Sequence, residues 1–291
     1  MHMPLKSSLF VVIAALALPA VAGTLDQIAS NGEVRIGYRQ SSMPLSWSDN
    51  EKPTGFMVSL CEKIVTEQIG PAVHNKNLRI QYVPVTAQNR FDLLASGKID
   101  MECGSTTVTR ARLQQADFSL VTYITESRLV SLKSSGAQSL STISGKTLAV
   151  QTGSSQAALI ARVASGVKVL PVPDAAHGIA AVSQGKAHAY VDGEILSQSA
   201  IRKAGLPDDR FVYGAPISVE PFAIMTRKGD ADFGQLIDAG LRKIFAKPNE
   251  SLALLKGYSD QMGADINLMT REAMRNPAKG RECSVLEAAS C

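Results

Sequence analysis

From Val34 onward, short runs rich in β-branched residues alternate with amphipathic segments, and this rhythm restricts the possible folds more than any other feature of the chain. "VRIGY" predicts a strand, "GFMVSLCEKIVTEQI" a helix, "LRIQYV" a strand, "QNRFDLLAS" a helix and "IDMECG" a strand. Phe56, Leu60, Ile64 and Val65 recur at the spacing of one helical face, and Phe91, Leu94 and Ala95 make the same choice. The rhythm restarts after Lys133 with the strand "TLAV" and a Gly/Ser/Thr loop, then "VKVLPV", a helix through "AAHGIAAVSQGK", the strand "AHAYVD" and a helix from Glu194. Two helical stretches, Ala231 to Lys247 and Asn249 to Met262, follow "PFAIMTRK"; the final stretch, with Pro277, Gly280 and two cysteines, reads as an irregular tail. Strands alternating with helices predict an α/β fold with parallel sheets, in which ligand sites lie beyond the carboxyl ends of strands.

"MECGSTTVTRAR", Met101 to Arg112, sits at such an end. Glycine and hydroxyl residues there free backbone N–H groups and add side-chain donors, which suits a small anion, and an arginine a few residues on completes the grip. The same residues also read as a capped turn, with Thr109 starting a helix and both Arg110 and Arg112 on a wet face.

The N-terminus sets the address. Lys6 precedes an apolar run from Leu9 to Leu18 and the small-residue pattern Ala20-Val21-Ala22, which together predict a secretory signal peptide over residues 1–22. No later segment is apolar for long enough to predict a membrane helix. The formal charge of +4 becomes +3 once Lys6 leaves with the signal, and it is spread rather than clustered, which argues against a nucleic-acid partner. The four cysteines, Cys61, Cys103, Cys283 and Cys291, form no C-x-x-C pair, and no metal-spaced histidine pair, H-E-x-x-H or G-x-S-x-G motif occurs, so no cofactor or metal is expected. In an oxidising compartment an even count predicts disulfides, with Cys283 and Cys291 near enough to close a short loop; two buried free thiols at Cys61 and Cys103 are the alternative.

"TLDQIASNGEVRIGYRQSSMPLSW", "TAQNR", "ECGSTT" followed by Arg112, and "TRKGDADF", in that order from about Thr24 to about Asn267, resemble the periplasmic solute-binding proteins of ABC transporters for polar amino acids, most of all their glutamate/aspartate-binding branch. The resemblance implies a type II periplasmic-binding-protein fold of two α/β lobes that close like a hinged clamp. Lobe 1 would take residues 23–126 plus 222–291 and lobe 2 residues 127–221, with crossings near Thr125 to Arg128 and Val219 to Phe222. It also implies a monomer in the periplasm that captures an acidic amino acid and hands it to a membrane-embedded ABC permease. A dehydratase-like periplasmic enzyme of the same fold is the alternative from another class, and a binding protein for a different polar amino acid is the alternative within this one.

An acidic amino acid carries two carboxylates and one ammonium, so its pocket needs two cationic subsites and one acidic one. By resemblance, Arg112 holds the α-carboxylate in a two-pronged grip flanked by Ser105 and Thr107, while Arg110 stays on a solvated face. Arg39 and Arg90 match the basic residues that take the second carboxylate, with His177 as a further donor; each of the three also reads as an ordinary surface or helix-end residue. Asp192 matches the ammonium ligand, although "VDGE" aligns only with a one-residue gap, which keeps Glu194 as a fallback and a helix cap as the alternative role. Thr152 and Ser154 would add donors from the second lobe. Ala87 stands where the branch often carries serine, a loss of one hydrogen bond worth ~1 kcal/mol. The resemblance pairs Cys61 with Cys103, tying helix to sheet, and leaves Cys283 with Cys291.

Overall fold

The computed structural model describes residues 23–262 and 265–284. The expected signal peptide and the expected Cys283–Cys291 bridge lie outside the described residues. Nearly every element predicted from periodicity is present. Phe56–Ile64 is an α-helix that runs on through a π-helical turn, Val65–Ile69, and buries Phe56, Leu60, Ile64 and Val65. Arg90–Ala95 is also helical but buries Arg90 and Leu94 in place of Ala95, so an i, i+4 pair that includes a charged residue faces inward.

Beside a small antiparallel sheet of Ser41–Ser42, Ser46–Asp49 and Lys52–Thr54, the main sheet is mixed instead of purely parallel as expected. Its order runs 79–85, 33–39, 101–102, 218–227, 116–132, 189–193, 147–151, 168–172. The first three are parallel to one another, as are the last three. Ala116–Leu132 and Ser218–Arg227 run antiparallel between them. These two strands carry the expected crossings: Thr125 pairs with Glu220 and Ser127 with Ser218, so the chain passes twice between the halves of the sheet through hydrogen-bonded neighbours. The antiparallel pairing follows from the chain crossing once in each direction, which helix-strand alternation alone does not reveal.

Four apolar clusters flank this sheet. One gathers Ile36, Phe56, Leu60, Phe233, Ile237 and Leu241, and a second Val85, Leu94, Phe118 and Met225, all from the chain before the first crossing or after the second save Ile195 and Leu196. The other two draw on the middle of the chain, around Tyr190 and Phe211 and around Leu148 and Leu159. The final stretch is more ordered than its composition predicted. Asn267 accepts from the Thr270 N–H at 2.8 Å and caps a helix, Leu268–Arg275, that buries Thr270 and Met274; the chain then crosses to pair Ser284 with Ser218. This helix is only eight residues long and mostly polar, so its composition does not mark it as a packed element. Among the described residues no helix is long and apolar enough to cross a membrane.

Cys61, on the helix Phe56–Ile64, is bonded to Cys103, just past the strand Met101–Glu102, as the resemblance implied. The bridge closes a loop spanning 42 positions, which by chain entropy stabilises the fold by about 4 kcal/mol. Cys61→Ala/Cys103→Ala should therefore lower the unfolding free energy in denaturant melts by about 2–4 kcal/mol. A loss well below about 1 kcal/mol would show that packing alone holds this strand end.

Candidate functional site

Three strand or helix ends converge where the halves of the sheet meet. Arg39 closes the strand Glu33–Arg39, Arg90 opens the helix Arg90–Ala95, and Arg112 opens a 3-10 turn after the "ECGSTT" segment. All three are buried, with 4%, 2% and 8% exposure, and all three line a single cavity of about 20 Å³ together with Ala87, Ser105, Thr107, Gln151, Ser154, Ser155, Gln156, Asp192, Leu196 and Phe222. That volume is on the order of one water, so the lining groups are closed on one another.

Three buried guanidinium groups around so small a space are far from their ordinary solvation. Burial pulls the pKa of Arg39 down against the pull of Glu102 and Asp192. Arg90 is lowered further, by burial first and then by Arg112, with Glu102 as its opposing negative charge. Arg112 is lowered by burial, opposed by Glu220, Glu282 and Glu102. Their hydrogen bonds are few. Arg112 donates from Nη1 to the Thr107 carbonyl at 2.9 Å and from Nη2 to the Gly153 carbonyl at 3.1 Å. Arg90 reaches the same Gly153 carbonyl at 3.5 Å, and its Nε has no partner. Gly153 comes from the other half of the chain, with φ +77°, and a Cβ there would lie 2.8 Å from the Ala87 carbonyl. Only glycine permits this approach.

The opposite wall begins at the helix Ser155–Val163. Ser154 caps it, accepting from the Ala157 N–H at 3.0 Å, and the helix presents Ser155 and Gln156 to the cavity with its positive dipole end. Asp192 accepts from the Tyr190 hydroxyl at 2.5 Å and the Gly193 N–H at 2.7 Å. Burial pushes its carboxyl up to about 6 despite those donors, with Glu220 adding to the rise and Arg39 opposing it.

Seven of the nine expected ligand-binding residues line this cavity and two do not. Arg39, Arg90, Ser105, Thr107, Arg112, Ser154 and Asp192 line it. The Ser105 hydroxyl donates to Ser42 Oγ at 3.0 Å and the Thr107 hydroxyl to Glu220 at 2.8 Å. Thr152 is exposed, in the loop just before the lining, its N–H held by the Val172 carbonyl. His177 stands apart from the lining, with a ring 65% exposed and its Nδ1 2.7 Å from Asp174, the cap of its own helix. Arg110 is exposed, as expected, and Glu194 pairs with Arg128 away from the cavity.

Two buried acids were not foreseen. Glu220 accepts from Thr107, Ser155 and Gln156 on one oxygen and from Ser127 and Ser218 on the other. Glu102 lies inside the quoted "ECGSTT" motif and is fully buried. The signal for both was an acid inside an apolar strand, which is exceptional unless paired. Among the described residues no three His, Cys, Asp or Glu side chains gather as a metal site.

The sequence profile of the bacterial extracellular solute-binding proteins, family 3, matches residues 34–255. A glutamate/aspartate import solute-binding protein of Salmonella typhimurium is 32% identical over 76% of this chain and 74% of its own length. An L-glutamate/L-aspartate-binding protein of Pseudomonas aeruginosa is 31% identical over 94% of each chain. The solved solute receptor for L-cysteine of Neisseria gonorrhoeae superposes with a TM-score of 0.73 at 20% identity, over 86% of this chain and 98% of the receptor. The fold is thus the type II periplasmic-binding-protein arrangement of two α/β lobes joined by two crossing segments. The matched span and the two relatives, each alike over most of its length, make this chain a member of the bacterial extracellular solute-binding proteins, family 3.

Proposed function

We propose that this protein captures an acidic amino acid, glutamate or aspartate, between its lobes and delivers it to an ABC permease after export to the periplasm through a cleaved signal peptide. The observation that carries the reading is the convergence of Arg39, Arg90 and Arg112, all buried, on one cavity that also holds the Asp192 carboxylate. Buried cations are strongly unfavourable unless anions meet them, and a neutral ligand would leave two of these arginines without use. The curated relatives named for glutamate and aspartate point the same way.

In this reading Arg112 grips the α-carboxylate, which takes the place of the Gly153 carbonyl and is flanked by Ser105 and Thr107. Arg39 and Arg90 meet the side-chain carboxylate, Asp192 meets the ammonium, and Ser154 with the helix behind it adds positive potential from lobe 2. Thr152 and His177 stay outside the proposed contacts. Lobe 1 comprises residues 23–126 and 222–291, lobe 2 residues 127–221, and the protein works as a monomer. Since the cavity is far smaller than the ~300 Å³ at which ligand pockets begin, entry requires the lobes to part.

Arg112→Ala should cost about 2–5 kcal/mol of binding for every amino-acid ligand, because a buried charge pair loses one partner, whereas Arg110→Ala should leave titrations unchanged. The reverse outcome would remove Arg112 from the site.

Arg90→Gln separates the acidic reading from a generic one. Calorimetric titration of glutamate and glutamine should show the wild type preferring the acid by orders of magnitude, since an amide leaves buried arginines unpaired. The variant should lose glutamate affinity selectively and narrow that gap. A wild type that binds both ligands equally would defeat the acidic reading while leaving an amino-acid-binding protein.

Asp192 adds a pH dependence. Its carboxyl titrates near 6 in the ligand-free protein, and an ammonium beside it favours the ionised form. Binding below pH 6 must then expel a proton, so affinity should fall as pH drops through 6, by up to about tenfold per pH unit. The ligand's own carboxyls stay ionised over this range. Titrations from pH 5 to 7.5 should show the decline in the wild type and none in Asp192→Asn; a flat wild-type profile would place the ammonium elsewhere.

A further inference from the structure

Glu102 is a carboxylate with no visible reason to be buried. It sits in the strand Met101–Glu102, with its main chain between Gly37 and Met225 of the neighbouring strands. Strand alternation sends Met101 and Cys103 into the core of lobe 1 and Glu102 to the other side of the sheet. It is 0% exposed, and neither carboxylate oxygen has a hydrogen-bond partner. Glu220, equally buried, has five donors, so burial of an acid in this fold does not by itself leave it unsatisfied. An ionised carboxylate without hydrogen bonds is expensive, and something must compensate it.

The geometry shows what lies nearest. A Cβ added to Gly104 would fall 2.1 Å from Glu102 Oε1 and 2.7 Å from Arg39 Cγ, so the carboxylate and the arginine stem pack together over the space that Gly104 leaves open. Glu102 opposes the effect of burial on Arg39, on Arg90 and on Arg112, and among the acids acting on Arg90 it stands alone. It is absent from the cavity lining, and so lies behind the arginines, not among the groups a ligand would touch.

We propose that Glu102 is the positioning residue of this pocket, a buried counter-charge shared by Arg39, Arg90 and Arg112 that holds the ligand-free arginines in place and limits how strongly they favour a second ligand carboxylate. The proposal rests on the acidic-ligand reading for its second half only. Its first half concerns the protein without ligand.

The test is a thermal double-mutant cycle on the ligand-free full chain, followed by titrations. Glu102→Gln keeps the shape and removes the charge; it should lower Tm by about 5 °C, and adding Arg90→Gln should restore most of that loss. In titrations, Glu102→Gln should raise the ratio of glutamate to glutamine affinity roughly tenfold, because the arginines face the ligand with one less competing negative charge. Glu102→Asp, which keeps the charge, should hold the ratio near that of the wild type. A space-filling role would move both affinities together and leave the cycle additive.

An additive cycle, or a Glu102→Gln protein with unchanged Tm and an unchanged ratio, overturns the proposal. If Glu102→Gln alone does not fold, the double variant decides: folding of Glu102→Gln/Arg90→Gln supports the shared counter-charge, and its failure overturns it. A coupled cycle in a protein that shows no preference for the acid would retain Glu102 as counter-charge and defeat the acidic-ligand reading instead.

Discussion

The desolvation of three guanidinium groups around one small cavity is the constraint on which the rest of this structure depends. Each arginine is delivered by a different backbone device, a strand end for Arg39, a helix start for Arg90 and a 3-10 turn for Arg112. None of these devices is local to another, so the sheet must bring the three ends into register. The disulfide from Cys61 to Cys103 secures the strand that carries Glu102 and runs on into Ser105 and Thr107. The close approach of Gly153 to Ala87 then completes the enclosure, because the same glycine carbonyl receives both Arg90 and Arg112. As a hydrogen-bond acceptor a single carbonyl dipole is a poor substitute for an anion, which is the ground for proposing a ligand carboxylate in its place.

Hydrogen bonds join the two sides of the cavity. Glu220 sits on the second crossing strand and accepts from Ser127 on the first, from Thr107 on one side and from Ser155 and Gln156 on the other. A carboxylate with five donors in a low-dielectric setting strongly prefers one arrangement of its partners. The lobe parting proposed for ligand entry would pull Thr107 from Ser155 and leave Glu220 with fewer donors. In the proposed function, opening would then be a change between two discrete hydrogen-bonding states, the behaviour expected of a hinge whose two strands are paired to each other.

Much of the fold was legible because helix and strand periods leave separate marks, and the sites of Phe56, Leu60 and Ile64 on one buried face follow from spacing alone. The antiparallel pairing of Ala116–Leu132 with Ser218–Arg227 was not, since it depends on how often the chain crosses between lobes, which is a long-range fact. The helix Leu268–Arg275 was not legible from composition because it is eight residues long and mostly polar, although its buried Thr270 and Met274 lie one turn apart. In the site, arginines drew attention by residue type, but burial made the difference: Arg110 and Arg112 are two positions apart and only Arg112 is enclosed. His177 matched by type as well, yet a cap bond to Asp174 holds it at the surface, a choice that local chemistry makes as readily as a ligand would.

The buried acids near the cavity sort themselves by how well they are satisfied. Glu220, with five donors, needs nothing more and reads as architecture. Asp192 has two, from Tyr190 and Gly193, and a carboxyl pushed up to about 6, as suits the ammonium partner proposed for it. Glu102 has none, and the charges available to it are the arginines themselves. Hydrogen bonds thus grade three chemically similar residues into a fixed joint and, in the roles proposed for them, a poised partner and a shared counter-charge. Residue type could not have separated them, because in sequence each is an acid within or at the end of an apolar strand. What distinguishes them is the set of donors that the two crossings and the neighbouring helix ends bring within reach, and that set exists only once both lobes have folded and closed.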